Sequence, residues 1–139
     1  MKASPRLVYE RLRSHGWSPA QACGILGNIR QESNFETCAL GFDGTGSYGL
    51  CQWLGGRKEA LRRYAESHGF AVDDPVVQVD FIHYEMVTSE ARAGARLQCC
   101  KTPGGAAVSF SRNFERPHKD FAHNDKRIRY ANSFHREME

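Results

Sequence analysis

A chain of 139 residues, 40% hydrophobic and 25% charged, is long enough for one packed core and too apolar for a disordered segment. Its net charge of +3 is small and dispersed, which excludes a clustered nucleic-acid-binding face and leaves a mild attraction to anionic polymers. No run approaches the ~20 apolar residues that span a bilayer, and Met1-Lys2-Ala3-Ser4-Pro5 carries no apolar signal segment.

Four capping residues stand directly before a proline: Ser4-Pro5, Ser18-Pro19, Asp74-Pro75 and Thr102-Pro103. Each pairs an N-cap side chain with a first helical residue whose missing N–H is not needed there. The first predicted helix runs from Pro5 to His15 and stops at Gly16. The second starts after Ser18, which forms a capping box with Gln21. It places Ala22, Ile25, Leu26 and Ile29 on one buried face and ends at Gln31 or Glu32. Residues 36–53 break the pattern. Glycines at 41, 44, 46 and 49, an Asp43-Gly44 turn signal and partly alternating Tyr48, Leu50 and Trp53 predict a small irregular β-hairpin. A third helix follows Gly56 with Leu61, Tyr64, Ala65 and His68 on one face, ending at Gly69. A fourth begins at Pro75 and carries Val77, Phe81, Ile82, Tyr84 and Met86. A short one covers Ala91 to Cys99, another uses Ala106, Ala107, Phe110 and Phe114, and the last uses Ile128, Ala131, Phe134 and Met138. The expected architecture is α+β, mainly α: a single domain over 1–139, with the hairpin following the helix that ends near Glu32.

Glu32 is the residue with the clearest chemistry. It lies seven positions after Ile25 and three after Ile29, so a carboxyl continues a buried apolar stripe at a helix end. Burial disfavours the ionised carboxyl, and a Glu kept protonated near neutral pH serves as a general acid, typically toward a glycosidic oxygen. The competing reading is a helix-terminal glutamate in a salt bridge. For a second carboxylate the hairpin offers Asp43, with Glu36 behind it. A separation of about 5–5.5 Å from Glu32 would imply retention, and ~6.5–9.5 Å inversion. Other chemistries find little support. The five cysteines contain no Cys-x-x-Cys pair, so neither zinc nor a full disulfide framework is expected; Cys38 and Cys51 flank the loop and are able to pair, but free thiols are favoured. The histidines show no metal-ligand spacing. No nucleophile elbow is present, and the glycine-rich loop lacks the lysine of a phosphate cradle.

The order of Glu32-Ser33, a Gly-rich hairpin and Gly49-Leu50-Cys51-Gln52 resembles goose-type lysozymes and soluble lytic transglycosylases, with Cys in place of Met in the second motif. The chain is more similar still to the phage tail lysozyme family. The similarity lies in Gly24-Ile25-Leu26-Gly27-Asn28, Glu32-Ser33, Tyr48-Gly49-Leu50-Cys51-Gln52-Trp53 with Arg57 after it, and Phe114-Glu115-Arg116-Pro117, over roughly residues 18–131. The resemblance implies a lysozyme-like helical domain and a muramidase that cuts β-1,4 bonds between N-acetylmuramic acid and N-acetylglucosamine. It needs no cofactor, and Glu32 is its general acid. An Ala-Tyr-Asn motif expected of a transglycosylase is absent, which favours hydrolysis. Asp43 remains the candidate second catalytic carboxylate. Gln52 is a candidate for an N-acetyl group or a water, or for a structural amide between hairpin and helix. Ser33 is a candidate beside Glu32 in the substrate site, or for a bond back to its own helix. Tyr48 is a candidate against a sugar face, and Trp53 likewise, with the core as the favoured alternative for Trp53. Glu115 is expected to be structural, closing the back of the cleft. The expected partners are bacterial peptidoglycan and phage tail proteins, with neither nucleic acid nor membrane insertion. Synthesis in the bacterial host cytoplasm, followed by action on the wall from a virion or at lysis, fits that set. The alternatives are a lytic transglycosylase and a non-catalytic wall-binding or virion assembly module.

Overall fold

The computed structural model describes residues 1–41, 46–119 and 122–139. Seven α-helices occupy the described residues: α1 (Pro5–Ser14), α2 (Pro19–Ser33), α3 (Gly56–Ser67), α4 (Pro75–Val87), α5 (Ala91–Gln98), α6 (Pro103–Phe110) and α7 (Asn124–Met138). All four predicted caps form. Ser4 accepts from the Leu7 amide and Thr102 from that of Gly105. Asp74 accepts from Val76 and Val77, and Ser18 and Gln21 bond reciprocally. Each satisfies amides that the first turn leaves without intrahelical partners.

The second helix departs from its expected amphipathic form, because ten of its 15 residues are buried. It is the central element, with α6 and α7 packed against it and α1 touching both α2 and α4. The glycine-side approach is very close. A Cβ on Gly24 would collide with Ala106, and one on Gly27 would sit 2.5 Å from the Arg127 carbonyl. Ile25, Leu26 and Ile29 are fully buried, each contributing about 1.5–3 kcal/mol from lost apolar surface.

Two expectations are corrected. First, no strand forms among the described residues, so the β-hairpin is absent. Isolated pairs, Leu40 with Tyr48 and Tyr48 with Trp53, take its place. Gly49 and Gln52 both adopt positive φ inside the tight turn between Tyr48 and Trp53, which interrupts an extended run. Side chains rather than a ladder then satisfy the loop backbone. Gln78 donates to the Thr37 carbonyl and accepts from the Leu50 amide at 2.9 Å, Gln52 donates to the Ala39 carbonyl at 2.9 Å, and Ser33 donates to that of Leu50 at 2.8 Å. Second, the helix predicted through Phe114 is α only to Phe110. It continues as a π-helical turn over Ser111–Glu115, closed by the Arg116 amide on the Ser111 carbonyl at 2.7 Å, with Arg116 left-handed at φ 50°. Such turns are rare and often sit at functional sites.

Candidate active site

Where the C-terminal end of α2, the loop before α3 and the π-helical turn converge, the surface opens into a cleft of about 560 Å³, within the range of ligand sites. Glu32, Gln52, Arg57, Glu115 and Arg127 are on its walls. Glu32 arrives because Asn34, left-handed at φ 49°, ends α2 two residues later. Its side chain is 17% exposed, and its Oε2 accepts from Nη2 of Arg127 at 2.8 Å. Arg127 lies on α7 with a side chain 1% exposed. Its Nη1 donates to Oδ1 of Asn28 at 2.8 Å, and its Nε to the Ala122 carbonyl. Asn28 in turn donates to the Gly24 and Ala107 carbonyls, at 2.9 and 3.0 Å. A buried polar thread therefore runs from α6 through α2 to α7 and ends on the Glu32 carboxylate.

Glu115, at the end of the π-helical turn, faces the same cleft. The residue keeps some accessible surface, yet its Oε2 is sealed from solvent and has no hydrogen-bond partner. Burial pushes its carboxyl well above the ordinary range, and the Glu32 charge adds to the rise; Arg127, Arg57 and the Cys51 thiol pull the other way and do not prevail. Both nearby guanidinium groups are committed elsewhere. Arg57 donates through Nε and Nη2 to the two oxygens of Glu85, at 2.9 Å each, and through Nη1 to the Phe114 carbonyl. Arg127 is divided among Ala122, Asn28 and Glu32.

The remaining expected residues separate. Gln52 lines the cleft, its amide nitrogen bonded to the Ala39 and Gly49 carbonyls. Ser33 is buried and donates to the Ile29 and Leu50 carbonyls, tying α2 to the loop. Trp53 is 1% exposed, with its Nε1 on Glu85 and its ring edge-on to Phe81, so it has no face for a sugar and belongs to the core. Tyr48 is half-buried against the core and sits under the Lys58 ammonium, outside the cleft lining. Glu36 pairs with the N-terminus at 3.6 Å and Lys2 at 4.0 Å and is not on the cleft wall. Asp43 lies outside the described residues. All five cysteines are free thiols, and no cluster with metal-ligand geometry occurs among the described residues.

Sequence reasoning missed Arg127 and Glu85, and it gave Glu115 only a structural role. Asn28 carried a signal, a polar residue inside an apolar helical run; Arg127 carried none, since its partners are 95 and 99 positions away.

Two carboxyl groups, one paired with a buried arginine at the end of the central helix, line one cleft. The family model for phage tail lysozymes matches residues 5–138, nearly the whole chain. The chain belongs to the phage tail lysozyme family. Membership carries a lysozyme-like, wall-lytic function with peptidoglycan as the substrate. It also accounts for the helical fold, with the π-helical turn lying inside the motif Phe114-Glu115-Arg116-Pro117. No helix among the described residues is long and apolar enough to cross a membrane.

Proposed function

We propose that this phage tail lysozyme is a muramidase that hydrolyses the β-1,4 bond between N-acetylmuramic acid and N-acetylglucosamine, with Glu32 as general acid. Glu32 gives its proton to the leaving oxygen as the C1–O bond breaks, and water adds to C1. The observation that carries this reading is the place of Glu32 on the cleft wall at the end of the central helix α2, with the Arg127 guanidinium at 2.8 Å. Proton donation turns Glu32 into a carboxylate, and a preorganised guanidinium stabilises the charge as it forms. Gln52, on the same wall, has its Nε2 bonded to the Ala39 and Gly49 carbonyls, which leaves its Oε1 to accept from a substrate N–H.

Purified peptidoglycan digested with wild type and Glu32→Gln tests the reading. Wild type is expected to release fragments with free reducing ends, and Glu32→Gln to lose at least about 10²-fold in rate while still binding walls. Fragments ending in 1,6-anhydro sugars would make the chain a transglycosylase. Walls bound but never cleaved would make it a binding module.

A further inference from the structure

Glycosidic hydrolysis with a proton donor on one side of the bond needs an acceptor for the proton of the attacking water. Glu36 is tied to the N-terminus, and of the described carboxyls it is Glu115 that shares the cleft with Glu32. Three geometric facts set Glu115 apart from a structural glutamate. Its Oε2 is buried without a protein hydrogen-bond partner, a condition rare enough in native structures to require an explanation. Neither arginine beside it donates to that oxygen, although both donate to other acceptors. It also closes a π-helical turn and precedes a left-handed Arg116, so an unusual backbone delivers it to the cleft.

We propose that Glu115 is the second catalytic carboxyl of this cleft and that it works with Glu32 as a pair sharing one proton. The proposal rests on the hydrolase reading above. In the productive state Glu32 carries the proton and Glu115 is ionised. Glu32 protonates the leaving oxygen as the C1–O bond breaks, water forms the new bond to C1 on the opposite face, and the proton of that water passes to Glu115. One bond is exchanged for another, one water is consumed, and the pair ends with the proton it began with, now on Glu115. The Arg127 guanidinium at 2.8 Å stabilises the carboxylate that Glu32 becomes. Return of the proton to Glu32 through solvent resets the pair. The charged and titratable groups acting most on Glu115 are Glu32 from α2, Arg57 from α3, Arg127 from α7 and Cys51 from the loop, and Arg116, His118 and His123 line the same cleft.

Because the pair needs one proton in total, the rate should fall in acid, when both carboxyls are protonated, and in alkali, when neither is. Glu115→Gln is expected to lose roughly 10²–10⁴-fold in rate, the size of a general-base contribution. It also removes the like charge that helps keep a proton on Glu32, so its residual alkaline limb should move to lower pH. Azide, a nucleophile that needs no deprotonation, should restore cleavage in Glu115→Gln at least ten-fold and give a glycosyl azide of inverted configuration, but should not restore Glu32→Gln. Glu115→Asp, which keeps the acid on a shorter stem, is expected to retain the bell-shaped profile at a reduced rate. Melting curves of both variants establish that they are folded.

Wild-type rates and profiles in both variants would overturn the proposal. So would a folded, slow Glu115→Gln that azide leaves slow, because a merely structural glutamate has no water to deprotonate. Anhydro products from wild type would instead bring down the hydrolase reading and this proposal with it.

Discussion

Arg57 bonds both oxygens of Glu85 and reaches the Phe114 carbonyl, while its guanidinium lies 4.5 Å above the Phe114 ring. Glu85 is 2% exposed and also accepts from the Trp53 indole at 2.8 Å. One ion pair thus locks α3, α4, the loop and the π-helical turn around the floor of the cleft. Deep ion pairs of this kind cost much desolvation, so their net contribution is small, but losing one partner leaves a charge stranded. Glu85→Leu and Arg57→Met are each expected to destabilise by about 3–5 kcal/mol, and the double variant by markedly less than their sum. Urea unfolding of the four proteins measures the coupling; additive losses would show that the two side chains do not depend on each other. The double variant should still lose wall-clearing activity, because the Phe114 carbonyl and its neighbour Glu115 lose their tether.

At the scale of elements, α2 connects the core to the chemistry. Its Gly24 lies against Ala106 so closely that a methyl group has no room, and α6 continues directly into the turn that carries Glu115. Gly24→Ala is therefore expected to cost about 1–3 kcal/mol through overpacking and to reduce activity further, by moving Glu115 relative to Glu32. Thermal melts beside wall-clearing rates check this; an unshifted melt would refute the close packing. Helix starts were legible because capping is local: Ser4, Ser18, Asp74 and Thr102 act within three residues of themselves. Glu32 is in the salt bridge of its competing reading, with Arg127, and only its place at the helix end was legible, because that is written in adjacent turns. The loop was not. Its alternating Tyr48, Leu50 and Trp53 imitate a strand, whereas Gln78, 28 positions beyond Leu50, does the pairing. Arg127 and the buried state of Glu115 were hidden likewise, because burial by distant helices leaves no local pattern.

For the whole molecule, buried titratable groups bias stability toward mildly acidic conditions. Burial alone would raise Asp80, but bonds from Arg11 and His15 outweigh it and hold its carboxyl below the ordinary 3.8. Its contribution is present above that value and lost as pH falls through the folded one. Glu115 acts in the opposite sense. Its folded carboxyl keeps a proton that the unfolded chain releases near 4.5, so its contribution is full below 4.5 and declines as pH rises. Burial, aided by His15 and opposed by Asp80, lowers His83 from 6.5; this adds stability as pH rises toward 6.5 and partly offsets Glu115 there. Above 6.5 His83 adds nothing further. Burial also pushes the Cys23 thiol up to about 11 and raises Cys51 well above 9.0, so both thiols extend the decline beyond pH 9.0. Each proton retained only by the folded chain costs about 1.4 kcal/mol per pH unit. Urea unfolding of wild type and Glu115→Gln between pH 4.5 and about 8.5 reads Glu115 together with the two groups coupled to it, Glu32 and Cys51. Wild type is expected to lose stability relative to the variant as pH rises above 4.5, because burial keeps on the folded Glu115 a proton that the unfolded chain releases. Curves parallel across the entire interval would mean that Glu115 is already charged in the folded protein, with no proton to share across the cleft.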